Sequence, residues 1–399
     1  MRICIITHEY PPNISAGLGT AIVNLVSGLT KHKVTIITPL VMGGEKHEIK
    51  DNLEIIRLPL FFKEKTLQKY KVIDSRILFN LRLLSFKRKF NFKQFDIIHV
   101  YDVHDAYFLD DKIRKNVPVL ISDNAFYSYI VPWNIFRFPY PTKHLISRFF
   151  HYNITKVLNI YFLRKGKYIL TNTQFLRNLF IKKYGFNQAS VFQIYRGLDT
   201  MKFEGIPKDK YQSKKILYVG HNMERKGAIY LVRALPRIFK RHPEATCTLI
   251  GRTPKDLMKE FIKILKKNKI EHKVTFLPYV PADKISQYYR EANVFVLPSL
   301  FENLAVSIIE ALASKTPVVC TADGANDEAV EHEKEGYLVK KKSPEQISYY
   351  IHKIFDNPEL AKHMGEQGFK KAKTRFSRET MIREVCKLYE IVLKNEAKL

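Results

Sequence analysis

The chain has 399 residues, 46% hydrophobic and 27% charged, a globular composition with more length than one hydrophobic core usually supports, so two domains of about 200 residues are expected. Formal net charge is +28, from 67 Lys and Arg against 39 Asp and Glu, which calls for an anionic partner. No run of about 18 uncharged apolar residues is present, Cys4, Cys247, Cys320 and Cys386 lie far apart, and "MRICIITHEYPP" enters a strand without a basic-then-apolar leader; membrane-spanning, disulfide-framed and secreted classes are set aside, and a cytoplasmic chain is expected.

Apolar runs predict strands at "RICIITH", "KVTIITP", "LEIIRLP", "FDIIHVY", "VPVLISD", "KYILTNT" and "VFQIYRG". Their hydrophobicity is continuous rather than alternating, as in strands buried on both faces of a parallel sheet flanked by helices. The polar stretch "GLDTMKFEGIPKDKYQSKK" then separates an expected first domain, 1–203, from a second, 204–399. Beyond it "ILYVG", "TCTLIG", "VTFLPYV", "VFVLPS" and "PVVCTA" alternate with predicted helices near 227–240, 254–268, 282–291 and 303–314. Residues 344–395 are mostly helical, and the last helix is free to pack back on the first domain. The expected fold class is α/β, two doubly wound Rossmann-like domains facing a cleft, with ligands at the carboxyl ends of the strands.

No acidic residue occurs between Asp123 and Asp199, while Arg137, Lys143, Arg148, Lys156, Arg164, Lys165, Lys167, Arg177, Lys182, Lys183 and Arg196 accumulate. Among them lie Trp133, Phe136, Phe138, Tyr140, Phe149, Phe150, Tyr152, Tyr161 and Phe162. Cations interleaved with aromatics suit an anionic membrane surface, where each Lys or Arg contributes about 1 kcal/mol. The same composition suits nucleic acid, but no nucleic-acid-binding motif accompanies it.

Three segments are able to carry chemistry. In "HEYPPNISAGLGTAIVNL", Gly17 and Gly19 lead from the first strand into a helix, where backbone N–H groups approach an anion closely. In "LYVGHNMERKGAIYLVRAL", Arg225 and Lys226 stand between a strand ending at Gly220 and a helix opening after Gly227, placed to face a diphosphate. In "VFVLPSLFENLAVSIIEALASKTPVV", Glu302 sits at the mouth of a helix and Glu310 two turns down it, about 10 Å along the axis. That separation matches the span from a transferred sugar to the ribose of a nucleoside diphosphate whose phosphates cap the helix. The competing reading is a wet helix face, because Ser307, Glu310 and Ser314 recur at i, i+3 and i+7.

These blocks, with "IYRGLDTMKF", "ANVFVLPSLFENLAVSIIEALASKTPVVCTADGANDEAV" and "EGYLV", resemble the retaining glycosyltransferases of GT-B architecture that carry the Glu-x7-Glu signature. The resemblance implies a nucleotide-sugar donor on the C-terminal domain, a glycan or lipid-linked acceptor on the N-terminal domain, and closure between them. Carried over by position, Glu302 contacts the donor sugar, Glu310 the ribose hydroxyls and Lys226 the leaving diphosphate. The segment Asn303, Leu304, Ala305 and Val306, with Arg225, holds sugar and phosphate oxygens, and Gly17 and Gly19 close over the phosphates. No Asp-x-Asp pair occurs, so neither a metal nor another cofactor is expected. Several positions depart from the pattern. His221 stands where arginine is usual, "ENLA" replaces Glu-Gly-Phe-Gly, and Tyr101 and Asp123 replace two histidines, for one of which His104 is able to stand in. The leading expectation is a retaining, metal-independent transferase acting near a membrane; the alternatives are a non-catalytic nucleotide- or glycan-binding scaffold and a nucleic-acid-binding protein.

Overall fold

The computed structural model describes residues 1–13, 17–60, 75–123 and 145–397. They form two compact units, Met1–Gly197 with Arg378–Leu399, and Leu198–Ser377. The first division thus falls at Gly197 rather than at residue 203. The turn Thr200–Phe203 belongs with the second unit because Phe203, 4% exposed, packs edge-on against Tyr289 at 5.9 Å between ring centroids. The last helix, Arg378–Glu396, belongs to the first unit and gives its core Met381, Val385, Leu388, Tyr389 and Val392.

The first unit's strands are β1 (Arg2–Ile6), β2 (Lys33–Leu40), β3 (His47–Lys50), β4 (Leu53–Pro59), β5 (Ile97–Val100), β6 (Val119–Asp123), β7 (Tyr168–Thr171) and β8 (Val191–Gln193). They pair in the order β3-β4-β2-β1-β5-β6-β7-β8, parallel except for β3 against β4. Central β1 is registered Ile3 to Val34 on one side and Ile3 to Ile97 on the other, and Ile3 through Ile6 are fully buried, which is why its hydrophobicity does not alternate. The sequence gives no sign of β3. "HEIK" is a short polar edge strand with only one neighbour and no face to bury.

In the second unit, β9 (Lys215–Val219), β10 (Thr246–Ile250), β11 (Val274–Leu277), β12 (Val294–Leu297), β13 (Val318–Thr321) and β14 (Gly336–Val339) make a parallel sheet in the order β11-β10-β9-β12-β13-β14. The four-residue β14 was not expected as a strand. Helix Ala228–Arg241 buries Leu231, Val232, Leu235 and Ile238, one stripe at helical spacing. Both sheets reverse direction of growth at one place, between β1 and β5 in the first unit and between β9 and β12 in the second. Open α/β sheets bind ligands just beyond the carboxyl ends of strands at such a switch point.

Candidate active site

At the β9/β12 switch point two loops are tied together through their backbones. The Leu300 N–H donates to the Arg225 carbonyl at 2.9 Å, and Gly227, at φ +68°, lies so close to Pro298 that a Cβ there would come within 1.9 Å of its carbonyl oxygen. The loop after β13 closes on the same segment. Gly324, at φ +72°, abuts the Glu302 carbonyl, the Ala325 N–H donates to the Asn303 carbonyl at 2.9 Å, and the Thr321 hydroxyl donates to the Ser299 carbonyl at 2.7 Å. Residues 298–305 are therefore held before any ligand arrives.

Side chains complete this arrangement. Arg225 Nη1 donates to the Phe301 carbonyl at 2.6 Å and to Glu302 Oε2 at 3.0 Å, and Lys226 Nζ lies 3.5 Å from the same carboxylate oxygen. Glu302 is 7% exposed, so its charge is matched inside the site by two cations. Lys226 reaches this position by lying across Gly220, where a Cβ would meet its Cδ at 2.5 Å. His221 is exposed, on the turn that follows Gly220.

The helix here is Val306–Ala313, not 303–314. Asn303, Leu304 and Ala305 are a buried loop, so only the four steps from Val306 to Glu310 rise at 1.5 Å per residue, about 6 Å, and the helical spacing expected from Glu302 to Glu310 does not hold. Ala305 at the N-cap has no side chain able to cap, and the first turn carries no carboxylate. Such a helix start offers N–H groups and the positive end of its dipole to an anion. Glu310 is half-buried, and its Oε2 accepts the Tyr289 hydroxyl at 2.7 Å. Burial raises the Glu310 carboxyl above the usual range, while the Tyr289 hydrogen bond and the Lys226 charge oppose this. Ser307, 7% exposed, and Ser314, 0% exposed, overturn the wet-face reading of this helix.

The β1/β5 switch point of the first unit is built differently. After β1, the His8 imidazole Nδ1 and backbone N–H both meet Asp105 Oδ2, at 2.8 and 2.9 Å. After β5, the His104 Nδ1 and N–H both meet Asp102 Oδ1, at 2.6 and 2.9 Å, in the turn Val103–Ala106. Burial pulls the His8 pKa down, but Asp105, through charge and hydrogen bond, with Asp102 and Glu9, raises it to about 9. Burial likewise pushes Asp102 up, and His104 and His8 together bring it below the usual carboxylate range. Gly17 opens helix Gly17–Val26, and the Gly19 N–H donates to Glu9 Oε2 at 3.1 Å. That amide, expected to meet a phosphate, is engaged by a carboxylate of its own chain. Tyr101 and Asp123, beyond β5 and at the end of β6, are buried, and Tyr101 lines a small pocket with Ser122, Thr171, Asn172 and Arg196. Trp133, Phe136, Arg137, Phe138, Tyr140 and Lys143 lie outside the described residues, as do the side chains of Arg148, Phe149, Phe150 and Tyr152.

Residues 201–371 match the family model described as Glycosyl transferases group 1, and residues 15–202 match that of Glycosyltransferase Family 4. Glycosyltransferase family models thus match both halves of the chain. The chain is 25% identical to alpha-monoglucosyldiacylglycerol synthase of Acholeplasma laidlawii, over 100% of this chain and 99% of that one. Its fold is that of sucrose-phosphate synthase from Thermosynechococcus elongatus (TM-score 0.75, 18% identity, 99% of each chain) and of Anabaena HepE in complex with UDP-glucose (TM-score 0.70, 15% identity, 100% of each chain). The two parallel-sheet units are thus the Rossmann-like domains of the GT-B class.

Several residues at and around these two switch points escape sequence reasoning. Tyr289 comes from helix Ile285–Glu291 and meets Glu310 only through the fold. Lys210, 1% exposed, donates to the carbonyls of Tyr289, Arg290 and Ser314 and to the Thr316 hydroxyl, at 2.8 to 3.0 Å, tying the ends of two helices beneath the site. Tyr218 on β9 is fully buried, and its hydroxyl has no partner among the described residues. The one available signal is a tyrosine inside an otherwise aliphatic strand. His99 on β5 joins the Ser122 and Tyr389 hydroxyls at 2.7 Å each, and burial lowers its pKa to about 3, so it is a neutral structural link.

Proposed function

We propose that the protein is a retaining, metal-independent glycosyltransferase that moves a sugar from a nucleoside diphosphate donor on the second unit to a glycan or lipid-linked acceptor presented at an anionic membrane surface. One observation carries this reading: an uncapped helix start at Val306 next to a loop in which Arg225 and Lys226 flank Glu302, with Glu310 fixed by Tyr289 one turn further on. Cleavage of a sugar–phosphate bond passes through an oxocarbenium-like state with negative charge gathering on the leaving phosphate. Lys226, Arg225 and the Val306 helix start supply positive charge for that phosphate from the chain itself. Glu302 faces the sugar, and Glu310 takes the ribose hydroxyls. The retaining assignment follows the Glu-x7-Glu resemblance. The lipid acceptor is supported by the name of the Acholeplasma relative, alpha-monoglucosyldiacylglycerol synthase, and the nucleotide sugar by the UDP-glucose held in the Anabaena neighbour.

The test is a melting-temperature panel of UDP, GDP, ADP, CDP and dTDP with their sugar conjugates, first without metal and then with magnesium. One nucleotide at about 100 times its Kd should stabilise the protein by about 2.7 kcal/mol, equally in both conditions. A shift only with magnesium removes metal independence. No shift with any nucleotide leaves a non-catalytic scaffold as the better reading.

A further inference from the structure

A surface helix of a globular protein ordinarily turns its polar residues to water. Helix Leu145–Lys165 of the first unit departs from this over its described side chains, 153–165. Inward it places Leu163 and the polar Asn159, both 0% exposed, with Asn159 Oδ1 accepting the Tyr107 hydroxyl at 2.9 Å. Outward it places Ile154, Val157, Leu158 and Tyr161, at 58%, 62%, 39% and 50% exposure. Their spacing, i, i+3, i+4 and i+7, makes one unbroken stripe. Lys165, i+4 from Tyr161, continues it, its ammonium 4.5 Å from the centre of the Tyr161 ring, and Arg164 beside it is exposed.

A contiguous apolar patch of this kind marks a surface with a partner, and charge selects the partner. No acidic residue occurs anywhere from 124 to 198, so the stripe is bordered by cations without carboxylates from its own segment. A second copy, with the same formal charge of +28, is repelled. Nucleic acid answers the cations but leaves Ile154, Val157 and Leu158 in water. An anionic bilayer answers both. No described helix is long and apolar enough to cross a membrane, so this one would lie in the interface plane.

We propose that this stripe is the face on which the protein rests on anionic lipid, with Ile154, Val157, Leu158 and Tyr161 entering the head-group and acyl-chain boundary and Arg164 and Lys165 meeting lipid phosphates. The proposal gives a defined surface to the membrane partner of the function proposed above, and it is measured separately from that function.

The experiment is co-sedimentation of the full chain with vesicles of phosphatidylcholine alone and of phosphatidylcholine with about 30% phosphatidylglycerol, at rising salt. Wild type should partition onto the anionic vesicles at least about tenfold better than onto neutral ones, less so as salt rises. Val157→Asp combined with Tyr161→Asp should remove about tenfold or more of that partition. Ile262→Asp, at a 42% exposed position on helix Lys255–Lys267 of the second unit, should leave it intact. Equal partition of wild type and the double variant overturns the proposal. So does a dimer in gel filtration that the double variant dissolves while wild type ignores vesicles. Nucleotide-induced melting shifts in the same samples separate the two readings: vesicle binding without nucleotide binding keeps the docking face and removes the transferase, and the converse keeps the transferase and removes the docking face.

Discussion

The two units have the same kind of sheet and put their polar residues at the same topological place, but the two switch points are built from different chemistry. Between β9 and β12 the cations are Arg225 and Lys226, and a helix start is left uncapped. Between β1 and β5 the charged groups are two His–Asp pairs, and the nearby Gly19 amide is covered by Glu9. Diphosphate needs lasting positive charge and bare N–H groups, which only the first arrangement offers. A hydroxyl acceptor needs groups that orient it by hydrogen bonds, and two imidazoles held by carboxylates suit that role. Under the function proposed above, one topology would serve two binding tasks, with the residues at the strand ends deciding which.

The sharpest way to break the comparison is Lys226→Ala. If the β9/β12 site works by stabilising a leaving phosphate, turnover should fall about 10²- to 10³-fold while the KM for the nucleotide sugar moves much less. Steady-state kinetics that show kcat unchanged and only KM raised would make Lys226 a ground-state binder. A smaller effect separates the units by pH. The His8 pKa in the folded protein, about 9, lies above its unfolded value near 6.5, so the stability it contributes is complete below about pH 6.5 and is lost as pH rises through about 9. Denaturant titrations should therefore show wild type exceeding His8→Gln by about 2 kcal/mol at pH 6, with the gap closing by pH 9.5 and nucleotide affinity unaffected. A gap independent of pH would mean that the His8–Asp105 contact is not an ion pair. The smallest effect belongs to Tyr289→Phe. Losing the hydroxyl that orients Glu310 should weaken nucleoside diphosphate binding by about 1 kcal/mol in calorimetry, with the nucleobase monophosphate-free form, the nucleoside alone, weakened equally. A loss seen only with the diphosphate would move Glu310 away from the ribose.

Much of this was legible in the sequence because it is local. Continuous apolar runs marked twelve of the strands, and the glycines and cations of 220–227 with the paired glutamates of 298–310 marked the expected donor side. What was missed depends on contacts across the chain. The helix start at Val306 is set by Gly324 and Ala325 gripping residues 302–303, so a pattern that reads as helix from 303 cannot reveal the loop. Asp105 and His8 are nearly a hundred residues apart and meet only because β1 and β5 are neighbours. Glu9 on the Gly19 amide is close in sequence, yet nothing in "HEYPP" tells whether that carboxylate turns toward the glycine loop or away from it.

The division of the chain has a consequence for how the protein is made. The second unit is one uninterrupted stretch, Leu198–Ser377, whose two ends meet where the Leu198 N–H donates to the Phe376 carbonyl at 2.8 Å. The first unit is split around it, and its core lacks Met381, Val385, Leu388, Tyr389 and Val392 until helix Arg378–Glu396 has been synthesised. During translation the order of completion is therefore inverted: the later-encoded unit has all its parts first, while the earlier one waits on the ribosome with the cluster of Ile3, Ile5 and Leu25 short of the five residues that the last helix adds to it.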